Sequence, residues 1–209
     1  MAKIYLVRHG ETAWNKEGLF QGQSNIDLNE TGIKQAEKLR DHLNSNKWDA
    51  VYCSDLKRAV TTARIITSRH NVNLILCTEL REMNFGQLEG KNITECFTDP
   101  VTAKWWESRD ADYAPQGGES ILQLAGRTGQ FINRINLYSE KNIMVVAHGG
   151  TIRSLICLLM ELDVRCWWQF QVSHTSLSII RTSHQGGFVL TLLNDTSHLE
   201  ENPELHDEK

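Results

Sequence analysis

Two segments of the chain share a pattern in which a hydrophobic run ends in His-Gly. His9 follows YLVR, His148 follows MVVA, and a Thr comes shortly after each. Ligands of open α/β sheets bind outside the carboxyl ends of the strands, so we expect both imidazoles to face one crevice. The Gly after each His lets the backbone approach a ligand closely.

Two arginines are expected at the same edge of the sheet. Arg8 precedes His9, and Arg58 lies in SDLKRA, directly after the hydrophobic run AVYC. With the two histidines and the partial positive charge of helix N-termini, these arginines would form a pocket for a compact polyanion. Arg favours bidentate recognition of phosphate or carboxylate. A phosphoryl group fits best because several donors can hold its oxygens, and its transfer depends mostly on positioning and electrostatic stabilisation.

Phosphoryl transfer also needs an in-line nucleophile and an acid for the leaving oxygen. A neutral imidazole is a competent acceptor, and nearby Arg charges would keep the pKa of the imidazole low. The acid should be a carboxyl group close to the phosphate, and Glu82, in ELREMNFG, is the candidate. Glu82 could instead pair structurally with Arg81 or Lys91, and the two arginines could form surface ion pairs.

The elements that must position these side chains alternate along the chain. Hydrophobic runs predict strands at 3–8, 50–54, 72–76, 143–147, 176–182 and 188–194. Apolar spacing of three to four residues predicts helices over 29–43, 55–68, 118–138 and 151–162. This alternation indicates right-handed βαβ units in a mainly parallel sheet covered on both faces. The last two strands lie too close together for a helical crossover and are expected to be antiparallel.

Residues 91–117 do not fit the alternation and are interpreted as a helical insertion over the site. The four Trp residues at 105, 106, 167 and 168 form two pairs. Packing is their default role. The alternative is an aromatic wall for a flat substrate group.

Composition excludes several classes of protein. The 209 residues are 40% hydrophobic and 23% charged with 3 Pro, which excludes a collagen-like, mostly disordered or coiled-coil chain. Residues 1–198 are predicted to form one domain and 199–209 an acidic, flexible tail. The body is near neutral, so no nucleic-acid partner is expected. No apolar run approaches about 18 residues, so no membrane span is expected. The five Cys include no CxxC pair, and they are interpreted as reduced cytosolic thiols that fill core space.

The combined motifs resemble the histidine phosphatase superfamily, also called phosphoglycerate mutase-like. The resemblance rests on four segments in the expected order: LVRHGETAWN (6–15), SDLKRAVTTA (54–63), LREMNFGQLEG (80–90) and VVAHGGT (145–151). It implies a three-layer α/β/α sandwich and an enzyme that uses no metal. A cytoplasmic location is expected because the first residues do not read as a secretory signal.

The resemblance also implies roles for individual residues. It makes His9 the phosphohistidine, Glu82 the proton donor and later the base that activates water, and Gly149 a backbone N–H donor. Phosphate contacts are implied for Arg8, Arg58 and His148, with further phosphate or substrate contacts from Asn15 and Gln21. In one branch of the family an Asp follows the second His, whereas Gly149-Gly150 stands there in this chain, so Glu82 must serve. Asn15 could simply cap a helix, Gln21 could be an ordinary loop residue, and His198 could approach the site.

Three functions remain in view for such a site. The first is hydrolysis of a small phosphorylated metabolite without a cofactor, with α-ribazole 5′-phosphate as the sharpest candidate substrate. The second is a mutase that depends on 2,3-bisphosphoglycerate and returns the phosphoryl group to a second hydroxyl. The third is a non-catalytic module that binds a phosphorylated ligand. FGQLEG after Glu82 and the short insertion favour the phosphatase. The protein is expected to be a monomer or a homodimer.

Overall fold

Six strands form one sheet in the computed structural model, which describes residues 2–135 and 141–200. The strands are β1 (Lys3–Arg8), β2 (Ala50–Ser54), β3 (Leu74–Cys77), β4 (Asn142–Ala147), β5 (Leu177–Thr182) and β6 (Phe188–Asp195). Their order across the sheet is β3-β2-β4-β1-β5-β6. The first four are parallel, whereas β5 is antiparallel to both β1 and β6. The expected parallel sheet with an antiparallel edge is confirmed.

Seven α-helices connect and cover the strands within the described part of the chain. They are α1 (Ala13–Lys16), α2 (Glu30–His42), α3 (Lys57–Thr67), α4 (Ile93–Cys96), α5 (Pro100–Ser108), α6 (Ile121–Arg134) and α7 (Gly149–Leu159). None of the helices described is both long and apolar enough to cross a membrane.

Strand β1 shows how the sheet comes to have two apolar faces. Ile4 and Leu6 point into one core, on which α6 and α7 pack. Tyr5 and Val7 point into a second core on the opposite face, which α2 and α3 cover. Side chains alternate between the faces of a strand, so a strand that is apolar at every position requires helices on both sides. The result is the expected three-layer α/β/α sandwich.

The boundaries predicted for two helices are wrong for identifiable reasons. The helix predicted from 118 begins at Ile121, because the Ser120 side chain accepts from the backbone N–H of Gln123 and caps it. It ends at Arg134, because Ile135 is extended, and 136–138 of the predicted span lie outside the described residues. The helix predicted over 151–162 begins at Gly149 and ends at Leu159, shortly before Glu161 adopts a left-handed conformation with φ 54°.

The predicted insertion contributes to the cleft, whereas the first residue of the predicted tail contacts helix α2. Residues 91–117 contain α4 and α5, and Ile93 and Trp106 from these helices line the cleft described below. Leu199, the predicted start of the tail, lies in a short 3₁₀ turn, and its carbonyl accepts from Lys38 Nζ at 3.0 Å. The rest of the predicted tail, 201–209, lies outside the described residues.

Candidate active site

The two His-Gly motifs lie on neighbouring strands. β1 and β4 are parallel with Arg8 opposite Ala147, and the backbone N–H of His9 donates to the carbonyl of Ala147 at 3.0 Å. The ring centroids of His9 and His148 are therefore only 5.1 Å apart. The expected convergence of the two imidazoles at one edge of the sheet is present.

His9 is held in one tautomer by its own neighbour. Nδ1 lies 2.7 Å from the carbonyl oxygen of Gly10, and because a carbonyl can only accept, Nδ1 carries the proton. Nε2 therefore keeps its lone pair. Burial, followed by the charges of Arg58 and Arg8, lowers the pKa of His9 well below its ordinary value. The imidazole is neutral and nucleophilic at neutral pH.

Arg8 is anchored by residues that follow helix α7. Its Nη1 donates to the carbonyl of Val172 at 2.6 Å, and its Nη2 lies 3.0 Å from Nε2 of His174. Its Nε is buried and has no hydrogen-bond partner in the described part of the chain. Burial lowers the pKa of Arg8 to about 10, so the guanidinium stays charged at neutral pH.

Arg58 is fully buried and not in a surface ion pair. Its Nη1 and Nη2 donate to the carbonyls of Ser24 and Gly22 at 2.7 and 2.6 Å, and its Nε donates to Nδ1 of His148 at 3.2 Å. Burial lowers its pKa to about 10. Arg58 thus fixes the loop that follows Gln21 and, at the same time, the orientation of His148.

His148 stands behind the cleft and does not line it. Because Nδ1 accepts from Arg58, Nε2 carries the proton and donates to Oγ of Ser54 at 2.8 Å. Burial and the charge of Arg58 lower the pKa of His148 well below its ordinary value. The predicted phosphate contact of His148 stays a prediction, since both ring nitrogens have protein partners.

Glu82 closes the start of α7. Its Oε2 accepts from the backbone N–H of Gly150 at 3.1 Å, and its Oε1 accepts from those of Thr151 and Met83 at 3.2 and 2.9 Å. A carboxylate at a helix N-terminus satisfies N–H groups that lack a partner within the helix. Glu82 forms an ion pair with neither Arg81 nor Lys91 among the described residues, and Arg81 pairs with Asp55 instead.

Arg127 positions the segment that carries Glu82. This helix α6 side chain donates to the backbone carbonyls of Glu79 and Arg81 at 2.8 Å and of Glu82 at 3.2 Å. Sequence reasoning missed Arg127, because its spacing matches an ordinary exposed helix position and nothing local marks its partners.

A cleft of about 280 Å³ brings most of the predicted residues together. Its lining includes seven of the eight candidates, His148 being the exception: Arg8, His9, Asn15, Gln21, Arg58, Glu82 and Gly149. Gln21 is buried and its Oε1 has no hydrogen-bond partner among the described residues, and its contact with phosphate or substrate stays a prediction. Asn15 lines the cleft and forms a capping box with Thr12 within α1, whereas the next helix, α2, is capped by Asn29.

Two residues near the cleft, His174 and Arg153, were not predicted as functional. His174 binds Arg8, and its ring lies 6.1 Å from that of His9. Trp167 donates from Nε1 to the carbonyl of Gly150 at 2.8 Å, and the guanidinium of Arg153 stacks 4.7 Å above the Trp167 ring. The Arg153 position could have been found, because it is four residues beyond Gly149 and so returns to the same face of α7.

The four tryptophans form one cluster in which one member of each pair reaches the cleft. Trp106 and Trp167 line it, whereas Trp105 is buried behind them. Trp168 connects the others, with ring centroids 4.6 Å from Trp106 and 4.8 Å from Trp167. Packing is therefore confirmed, and Trp106 and Trp167 give the cleft an aromatic side, whereas the binding of a flat substrate group by that side stays a prediction. His198, by contrast, contacts Thr175 and does not line the cleft.

The cysteines offer no competing nucleophile in the described structure. All five are free thiols, and four are buried. Burial raises the pKa of Cys157 to about 11, and it raises the pKa of Cys96 as well.

A neutral imidazole between guanidinium groups, with a carboxyl group beside it, is an arrangement that can transfer a phosphoryl group.

Comparison with known proteins agrees with this arrangement. Residues 4–196 match the model of the histidine phosphatase superfamily (branch 1). A relative named phosphoserine phosphatase 1, from Hydrogenobacter thermophilus, is 32% identical over 96% of this chain and 96% of its own length. A relative named adenosylcobalamin/alpha-ribazole phosphatase, from Salmonella typhimurium, is 32% identical over 92% of this chain and 96% of its own length.

A solved structure has the same fold as this chain. The alpha-ribazole phosphatase of Shigella flexneri superposes with a TM-score of 0.85 at 30% identity, covering 93% of this chain and 96% of that one. Because the family model matches residues 4–196 of this chain, the chain belongs to branch 1 of the histidine phosphatase superfamily.

Proposed function

We propose that this protein hydrolyses small phosphomonoesters through a phosphohistidine formed on Nε2 of His9. The observation that carries the proposal is the Nδ1–H bond to the Gly10 carbonyl at 2.7 Å, which leaves the Nε2 lone pair free in a cleft lined by Arg8 and Arg58. Phosphatase names among the relatives support hydrolysis.

The reaction has two steps that use the same groups. In the first, the Nε2 lone pair attacks phosphorus, the ester P–O bond breaks, and the carboxylic acid of Glu82 gives its proton to the leaving oxygen. In the second, a water oxygen attacks phosphorus while the Glu82 carboxylate takes a proton from that water. The P–N bond then breaks and its electron pair returns to Nε2, so inorganic phosphate is released and the enzyme is restored.

Charge in the transition state is stabilised by the arginines. Arg8 and Arg58 are both held by carbonyl oxygens and are therefore oriented before the substrate binds. Preorganised donors of this kind contribute more than donors that must reorient during the reaction. The proposed chemistry uses no metal, and activity is expected to survive EDTA.

Two chemical types of leaving group are candidates. The aromatic lining by Trp106 and Trp167 supports a flat group such as that of α-ribazole 5′-phosphate, which is also in the names of similar proteins. The relative named phosphoserine phosphatase supports a small acidic group. Mutase activity is the alternative reaction, and it differs only in the acceptor of the second step.

Rapid-quench mass spectrometry of the enzyme during turnover of p-nitrophenyl phosphate tests the proposal directly. We expect an added phosphoryl group on the peptide that contains His9, and neither adduct nor turnover in His9→Ala. His184→Ala, which alters an exposed histidine in the β5–β6 turn, should behave as the unchanged protein. Phosphate binding without an adduct would instead favour a non-catalytic module.

A second experiment separates hydrolase from mutase. A panel of phosphoesters is assayed with and without 2,3-bisphosphoglycerate and with a trap alcohol. A hydrolase releases inorganic phosphate at a rate that the bisphosphate does not increase. A mutase would instead isomerise phosphoglycerate and depend on the bisphosphate.

A further inference from the structure

Arg153 is a third cleft arginine, and its hydrogen-bonding groups are unused. It lies on α7 one turn beyond Gly149, lines the cleft, and stacks its guanidinium 4.7 Å above the ring of Trp167. Arg8 and Arg58 each donate to backbone carbonyls. Among the described residues, Arg153 has neither a hydrogen-bond acceptor nor an ion-pair partner, and its Nε is buried.

An unsatisfied buried donor on a half-buried guanidinium destabilises the empty site. Burial lowers the pKa of Arg153, and the charge of Glu82 acts in the opposite direction. A buried N–H without an acceptor costs free energy. The guanidinium lies over the indole of Trp167 and lines the cleft, and the paired N–H groups of a guanidinium form a fork that suits a carboxylate.

Helix α7 places Arg153 near both the acid and Arg8. A Cβ on Gly149 would lie 3.6 Å from Nε of Arg8, whereas a Cβ on Gly150 would lie 2.5 Å from Glu82 and 3.0 Å from Trp167. Arg153, which comes later in α7, lies over the ring of Trp167. Since Glu82 protonates the leaving oxygen, the group that lies next to Glu82 and Arg153 is the leaving group.

The positive charge that lines the cleft exceeds the negative charge of a phosphomonoester dianion. The lining includes three arginines, and Glu82 is the only carboxylate among the described residues that form it. When Glu82 is protonated to act as an acid, a phosphomonoester dianion balances two of the three positive charges. A carboxylate on the leaving group would pair with the third arginine, also where an ammonium group, as in phosphoserine, makes the net charge of the leaving group zero.

We propose that Arg153 binds a carboxylate carried by the leaving group, so that acidic phosphomonoesters are preferred over esters of uncharged alcohols. This inference rests on the proposed hydrolase function and deepens it. It places a leaving group such as that of phosphoserine ahead of the nucleoside-like leaving group of α-ribazole 5′-phosphate, which leaves the guanidinium unpaired.

Two esters that differ only in the carboxylate test the subsite. O-phosphoethanolamine is O-phospho-L-serine without its carboxylate, and both carry the same ammonium group. We expect kcat/KM for phosphoserine to exceed that for phosphoethanolamine by about 10- to 100-fold, as for a hydrogen bond between charged groups. In Arg153→Gln this ratio should fall to about one, and Arg153→Lys should retain part of it.

The ratio separates ligand binding from a structural role of Arg153. A substitution that merely perturbs Glu82 or the fold slows both esters alike and leaves the ratio unchanged, and that result would overturn the proposal. Arg69→Gln removes the same charge from an exposed side chain that pairs with Asp41, and it should keep the ratio of the unchanged protein.

Binding to a His9→Ala variant keeps the subsite testable if turnover fails. Isothermal titration should then show tighter binding of phosphoserine than of phosphoethanolamine, and the additional substitution Arg153→Gln should remove the difference. Equal affinities would overturn the Arg153 subsite alone. Absence of both turnover and adduct in the unchanged protein would refute the hydrolase function, whatever the affinities.

Discussion

Gly150 lies directly against the carboxyl group of Glu82. A Cβ built on Gly150 would be 2.5 Å from Oε1 of Glu82, while its backbone N–H donates to Oε2 at 3.1 Å. The absence of a side chain is therefore what lets the first turn of α7 orient the acid. The indole of Trp167 closes the other side, because its Nε1 donates to the Gly150 carbonyl.

Gly150→Ala should displace the acid without removing it. The methyl group would overlap Oε1 of Glu82, and the carboxyl group would have to rotate away from the leaving oxygen. We expect kcat for an alkyl phosphate to fall by about 10²-fold, the lower end of what general acid catalysis contributes. Steady-state kinetics with O-phosphoethanolamine would measure the loss.

Gly126→Ala is the matched control for that variant. Gly126 lies in α6, and a Cβ there would meet nothing within 4 Å, so activity should be unchanged and the helix slightly stabilised. Equal kinetics for Gly150→Ala and Gly126→Ala would mean that the Glu82 position does not matter for the reaction.

Glu82→Gln should slow esters according to the quality of their leaving group. A carboxamide can keep one of the two acceptor contacts to the N–H groups of α7 but has no acidic proton. We expect a loss of about 10²- to 10⁴-fold for an alkyl phosphate and a much smaller loss for p-nitrophenyl phosphate, whose leaving group needs little protonation. The measurement is kcat/KM for both esters.

A control variant and a contrary outcome test whether Glu82 is the proton donor. Glu79→Gln makes the same chemical change three residues earlier, at a carboxylate that pairs with Arg134 outside the cleft, and should be active. Equal losses of Glu82→Gln on both ester types would argue that Glu82 is not the proton donor.

Much of the site could be predicted from the sequence because its key residues directly follow strands. A hydrophobic run that ends in His-Gly places the imidazole at a known edge of the sheet, and this holds for His9 and His148. Arg58 follows β2 in the same way, at the start of α3. Strand periodicity thus identifies both the element and the end at which chemistry is concentrated.

The residues that orient the site could not be found by such reasoning. His174 precedes an antiparallel strand in a loop, and its contact with Arg8 spans 166 positions of sequence. The two bonds of Arg127 to Glu79 and Arg81 likewise join α6 to a loop. Contacts between distant loops depend on how layers pack together, and neither spacing nor residue type encodes that in a single chain.

His174 should matter through Arg8. Its Nε2 accepts from Nη2 of Arg8 at 3.0 Å, and burial lowers its pKa to about 3, so it stays a neutral acceptor at neutral pH. In His174→Ala the guanidinium loses this anchor and gains freedom. We expect kcat/KM to fall by about 10-fold or more, mainly through KM for phosphate esters.

Partial rescue would distinguish anchoring from packing. His174→Asn keeps an acceptor on a shorter side chain and should recover part of the loss, whereas His174→Leu keeps apolar volume and should recover none. If Leu restored activity as well as Asn, the role of His174 would be to fill space. Thermal melting of each variant checks that the fold is intact.

Acidification should destabilise the fold before carboxylates begin to titrate. His9, His148 and His174 are held neutral, because burial is the largest cause that lowers the pKa of each below the ordinary value. Below about pH 6.5 the unfolded chain therefore binds protons at these positions that the folded chain does not, and stability falls as pH falls. At about pH 5.5 each imidazole should cost about 1.4 kcal/mol, or about 4 kcal/mol for the three together.

Urea unfolding at about pH 7.5 and about pH 5.5 measures this loss as the difference in the free energy of unfolding. His174→Asn has one titrating group fewer, and its loss between the two pH values should be smaller by about 1.4 kcal/mol. The stability of the unchanged protein should level off above about pH 7.5, where the unfolded chain also leaves these imidazoles neutral. Identical unfolding free energies at the two pH values would mean that the buried imidazoles take up protons in the folded state as readily as in the unfolded chain.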